Sequence, residues 1–196
     1  SIAVNWLGAG SGRETDAPVV GGQKNRWRLG MEHFYIQNEG DGEGSMPSDD
    51  KYIPIDPGFE YIYDCSRDKK CLVFSNSREE TEYLTATLRQ IADRRGEEDV
   101  FQIHHGNLSA SIREEAEQKM KDEEIHAVTC ATVTMELGID IGRLERILQN
   151  QSPNSVTSFL QRLGRSGRRG QPPEMMLVFR EEDPLPNTPL PQLIPW

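Results

Sequence analysis

The chain has 196 residues, 35% hydrophobic, 28% charged and 7% aromatic, which supplies one core and is too apolar for a disordered polyelectrolyte. Twenty-two lysines and arginines against 32 acids leave a net charge of −10, so the average field repels DNA, RNA and anionic membranes, and any nucleic-acid contact has to be local. There is no apolar run of about 18 residues to span a bilayer, and the opening SIAVNWLGAGSGR lacks the parts of a signal peptide.

The three cysteines, Cys65, Cys71 and Cys130, are odd in number and widely spaced. That fits neither a disulfide framework nor a zinc ribbon, so a reducing, cytoplasmic setting with no metal site and no membrane partner is expected. Cys130 reads as a small buried hydrophobe. The four histidines form no His-x-x-x-His pair, and no Ser-His-Asp order is evident.

In chain order, GAGSGR at 8–13 imitates a glycine-rich phosphate loop but has no Lys-Ser or Lys-Thr and no preceding hydrophobic strand, so it reads as a turn. NEGDGEGSMPSDD at 38–50 is acidic and rich in Gly and Ser, an exposed loop that sets a boundary over 38–56. CLVFS at 71–75 is a strand. It ends in a capping box of Ser77 and Glu80 that opens a helix to Arg95. Tyr83, Leu84, Leu88, Ile91 and Ala92 share one face of that helix, and Gly96 closes it. VFQIH at 100–104, HAVTCAT at 126–132, ERILQN at 145–150 and EMMLVF at 174–179 read as further strands. Helices are expected over 111–122 and from an N-cap at Ser152, with Pro153 in its first turn, through Leu163. PLPNTPLPQLIPW at 184–196 carries five prolines and reads as an extended tail. The missing initial Met and the apolar close suggest an excised fragment.

Strands alternating with helices imply an α/β fold with a largely parallel sheet flanked by helices, whose ligand crevice lies at the strand carboxyl ends. Three segments are chemically unusual: SNSR at 75–78, ATVTMELGIDIG at 131–142 and QRLGRSGRRG at 161–170. The arginines of the last are either a solvated face or, spaced by Gly164 and Gly167, bidentate donors to one anion, with Arg165 and Arg168 converging. Gly138 and Asp140 are either a strand-end turn or a carboxylate that accepts ribose hydroxyls, and Thr132 suits a backbone phosphate.

In order and spacing these segments resemble the second RecA-like domain of superfamily 2 helicases over residues 57–182. CLVFSNSR looks like motif IV, HHGNLS with Arg113 like the segment after it, ATVTMELGIDIG like motif V and QRLGRSGRRG like motif VI. E-L-G-I-D-I-G and HHGNLS look closest to Lhr-like and neighbouring DEAD/DEAH-box proteins; Leu137 departs from the A-R-G-x-D of a DEAD-box protein proper. Residues 1–37 look like the end of a first motor domain and the crossing into the second.

The resemblance implies an ATP-dependent helicase in an intact parent. Arg165 and Arg168 would be arginine fingers on the γ-phosphoryl and Gln161 the coupler to the other domain, while Gly138 and Asp140 would lie near the ribose. Asn76, Arg78, Gly106, Asn107, Arg113 and Thr132 would line a groove for single-stranded DNA or RNA. The partner would be the first RecA-like domain of the parent. Neither G-x-x-x-x-G-K-[ST] nor D-E-x-[HD] occurs in the chain, so ATP with Mg²⁺ would bind only in the intact protein, with the magnesium ligands elsewhere, and the isolated chain would be inactive. A duplex translocase of the same superfamily and a non-catalytic nucleic-acid-binding module are the alternatives.

Overall fold

The alternating strand and helix signals become a six-stranded, all-parallel sheet in the computed structural model, which describes residues 26–36, 56–136, 141–142, 144–167 and 172–182. The elements are β1 (Arg28–Ile36), α1 (Pro57–Ser66), β2 (Cys71–Phe74), α2 (Arg78–Arg95), β3 (Phe101–His104), α3 (Ala110–Lys121), β4 (Val128–Ala131), β5 (Arg146–Asn150), α4 (Val156–Leu163) and β6 (Glu174–Glu182). A 3₁₀ turn, Val133–Met135, follows β4.

The sheet order is β1-β6-β5-β2-β4-β3. Side chains alternate across the pleat, so each strand feeds two cores. Cys71, Val73, Val128, Cys130, Leu148 and Val178 face α1 and α2, packing with Phe59, Ile62, Tyr63, Leu84, Leu88 and Ile91. Leu72, Phe74, Ala131, Ile147, Met175 and Leu177 face the other way, with Met120 of α3 and Leu163 of α4. Burying both faces of a parallel sheet is what its βαβ crossovers require.

The sheet reaches upstream of the 38–56 boundary: β1 pairs with β6 along its whole length, from Arg28 opposite Glu174 to Ile36 opposite Glu182. Helix α1, absent from the elements expected above, is pinned at its start. Asp56 caps it by accepting from the Gly58 amide at 2.8 Å and also accepts from the Arg180 guanidinium of β6, which lies 3.5 Å over the Phe59 ring.

Helix α2 forms as read, except that Tyr83 is 64% exposed and its ring meets Phe59 edge-on; the polar residues Thr81, Thr85 and Thr87 complete the buried face instead. The start of α4 is a correction: Ser155, not Ser152, is the cap, its Oγ accepting from the Ser158 amide at 3.0 Å. The delay has a cause at Gln151, whose φ of 64° turns the chain in the left-handed region and which is tied to β6 by N–H donation to the Val178 carbonyl and side-chain donation to the Arg180 carbonyl. The segments 8–13, 38–50 and 184–196 lie outside the described residues. No helix among the described residues is long and apolar enough to cross a membrane.

Candidate functional site

In a parallel sheet all strand carboxyl ends lie on one edge, so the loops that follow neighbouring strands are brought side by side. The order β5-β2-β4-β3 therefore aligns Asn76 and Arg78 after β2, Thr132 after β4, and Gly106, Asn107 and Arg113 after β3. The six candidates for the strand groove share one edge, but they are not equally available.

The Asn76 side-chain amide donates to the Ser152 carbonyl at 2.7 Å, stapling the loop after β2 to the loop after β5. Arg78 is engaged by Glu79 at 2.5 Å and lies 4.0 Å from Glu82. Arg113 is half-buried in the first turn of α3, and its Nε has no hydrogen-bond partner. Gly106 is exposed, and a side chain added there would meet nothing within 4 Å. Its smallness thus answers no packing demand within the described residues.

Thr132 opens the 3₁₀ turn, donating its N–H to the His104 carbonyl at 3.3 Å. Its hydroxyl lies 3.4 Å from that of Thr134. Beneath this pair the buried His104 ring joins Thr134 through Nδ1 at 2.9 Å to Glu117 of α3 through Nε2 at 3.1 Å. His105, also buried, has Nε2 3.1 Å from a Glu82 carboxylate oxygen. Among the described residues no group of three or more His, Cys, Asp or Glu converges as metal ligands would. The three cysteines are unpaired.

The arginine-rich segment is not one basic face. Arg162 is fully buried, its Nε donating to a Glu136 carboxylate oxygen at 2.7 Å. It also donates to Gln149 of β5 and lies 4.9 Å over the Phe74 ring. Arg165 is nine-tenths buried and donates through Nε and Nη2 to the Glu136 carbonyl oxygen at 2.9 and 2.6 Å. Gly167, φ 75°, is demanded by the chain itself, since a Cβ there would stand 2.3 Å from the Pro173 nitrogen. Gln161 sits half-exposed on α4, one residue before Arg162. Gly138, Asp140, Arg168 and Arg169 lie outside the described residues.

Sequence reading missed Glu136, Arg162, His104 and Thr134 as members of this region. The available signal was Glu136 itself, a lone acid between Met135 and Leu137 that an apolar loop would bury only with a cationic partner.

Residues 58–170 match the helicase conserved C-terminal domain family. The ATP-dependent helicase Lhr-Core of Methanothermobacter thermautotrophicus is 37% identical over 112 residues, which are 57% of this chain and 13% of that protein's length. Among solved structures, the Mycobacterium smegmatis helicase Lhr bound to ssDNA and AMP-PNP is similar with a TM-score of 0.58 and 29% identity, over 80% of this chain and 19% of that one. A DEAD box protein from the hyperthermophile Methanococcus jannaschii is similar with a TM-score of 0.51 and 28% identity, over 63% of this chain and 32% of that one.

Proposed function

This chain belongs to the helicase conserved C-terminal domain family, and from that premise we propose that it is the second motor domain of an ATP-dependent helicase, completing an ATP site on a first RecA-like domain and gripping one strand of DNA or RNA. The observation that carries the reading is Arg165. Its guanidinium is fixed through two nitrogens on one carbonyl oxygen, and a cation oriented before the reaction stabilises transition-state charge without having to reorganise.

On this reading Arg165 and Arg168 face the γ-phosphoryl from across the domain interface, Gly138 and Asp140 meet the ribose, and Gln161 transmits closure along α4. Thr132, Gly106, Asn107 and Arg113 track the strand backbone, with Asn76 and Arg78 at the end of the track. Closure on ATP and opening after hydrolysis would alternate the grip on the strand. Without the first domain the isolated chain turns over no ATP.

The test is Arg165→Ala and Arg168→Ala in the intact protein. An arginine finger acts mainly in the transition state, so kcat should fall about a thousandfold or more while nucleotide affinity changes only a few-fold. Lost affinity with unchanged turnover would make these arginines ground-state ligands and remove the proposal.

A further inference from the structure

Two arginines three residues apart, Arg162 and Arg165, hold the same residue by different groups. Arg162 holds the Glu136 carboxylate, with Nε and Nη2 each 2.7 Å from one oxygen; Arg165 holds the Glu136 carbonyl. The Glu136 amide donates to the Val133 carbonyl at 3.0 Å, and the Arg165 amide to the Arg162 carbonyl at 2.9 Å. Glu136 is therefore fixed at its amide, side chain and carbonyl, and the carbonyl is the group on which the Arg165 guanidinium rests.

The ion pair lies in the interior, Arg162 with no exposed side-chain surface and Glu136 with 8%. Such a pair is poor value as stability, because desolvation offsets most of the attraction and an apolar replacement of similar volume often serves as well. What it supplies here is direction. Gln149 of β5, Phe74 of β2 and the end of the 3₁₀ turn all converge on Arg162, so the sheet dictates where the Glu136 carbonyl points.

We propose that Glu136 is the positioning residue for Arg165, its buried pairing with Arg162 translating the rigid sheet into a fixed orientation of the arginine that the proposed function sends to the γ-phosphoryl. Glu136 touches no substrate on this view and acts only through Arg165. The inference rests on the arginine-finger reading for its effect on turnover, but not for its effect on the Arg165 side chain.

The experiment compares Glu136→Gln alone, Glu136→Gln together with Arg162→Met, and Arg165→Ala. The single Gln variant leaves Arg162 buried and unpaired and is expected to unfold at a lower temperature. The double variant removes both charges, keeps a thioether over Phe74, and should melt close to wild type. In the chain itself, the Arg165 Nε–H followed by nitrogen-edited NMR should exchange with solvent about tenfold or more faster in the double variant than in wild type. In the intact protein the double variant should lose about 10- to 100-fold in kcat, with KM for ATP held within about twofold. A double variant that melts like wild type and keeps wild-type exchange and turnover would overturn the inference. If instead exchange quickens but neither the double variant nor Arg165→Ala changes turnover, Glu136 still positions Arg165 and it is the arginine-finger reading that falls.

Discussion

A thiol on an interior strand has no solvent in which to place a negative charge. Burial pushes the Cys130 thiol up to about 12 and raises that of Cys71 as well. The sign follows directly. The folded chain holds these protons after the unfolded chain has released them, so the contribution to stability is complete below pH 9 and falls as pH rises from there toward 12. Iodoacetamide at about pH 8 should label the half-exposed Cys65 in the native chain and reach Cys71 and Cys130 only in denaturant, and peptide mass spectrometry reads the outcome. Rapid native labelling of Cys130 would contradict the packing. The fate of Cys130 was legible because an apolar β-prone run predicts burial by itself. The fates of Arg162 and Arg165 were not, because both take hold of Glu136, 26 and 29 residues upstream, and a basic run gives no local sign that a loop from another strand supplies its acid. Gly167 misled for the same reason: the close approach it permits is to Pro173 of its own chain.

At the scale of the element, α2 shows what a sequence specifies when both helix ends are local. Ser77 accepts from the Glu80 amide at 3.1 Å, while the Glu80 carboxylate accepts from the Asn76 amide at 3.1 Å, one residue earlier than a reciprocal capping box would place it. At the far end Gly96, φ 66°, lets its own amide reach Asp93 and the Glu97 amide reach Ala92, the paired bonds of a Schellman motif. Ser77→Ala and Gly96→Ala should each cost about 1 kcal/mol in denaturant unfolding, the second from backbone strain alone, since a Cβ there meets nothing within 4 Å. Helix α4 makes the contrasting prediction: Ser155→Ala should cost about 1 kcal/mol and Ser152→Ala less than about 0.5 kcal/mol, because only Ser155 caps the helix. The reverse ranking would restore the cap to Ser152. That start was illegible because the chain first has to pass along β6, a tertiary demand centred on Gln151. Helix α1 did carry a signal, Asp56-Pro57 followed by Phe59, Ile62 and Tyr63 at helical spacing, but it sits against a region whose composition reads as loop. Strand β1 is an edge, with Leu29 and Met31 about half exposed, so it lacks the continuous apolar run that marks the interior strands.

For the whole molecule, the proposed grip on a polyanion has to be reconciled with a net charge of −10. The parallel sheet answers geometrically, by setting the loops after β2, β4 and β3 in a row at one edge, and the number of cations in that row limits the electrostatic part of binding. Arg78 is already paired with Glu79 and lies near Glu82, so part of its charge is compensated before any strand arrives, and Arg113 is half-buried with its Nε shielded from solvent. Counterion release should then be small. Binding of a fluorescently labelled single strand to this chain should be weak, and the plot of log affinity against log salt should have a slope of about −0.7 to −2, equivalent to about one to three phosphates. Arg113→Ala should flatten that slope by about 0.7 and weaken binding to every sequence alike. Arg78→Ala should flatten the slope by less, because Arg78 is engaged by Glu79 and would have to give up that ion pair before neutralising a phosphate. A salt titration of wild type and both variants measures all three slopes at once. Slopes unchanged in both would move the strand track off the edge carrying Thr132, Gly106 and Asn107, and tight binding that discriminates among base sequences would replace a backbone-tracking motor domain with a sequence-reading module on the same fold.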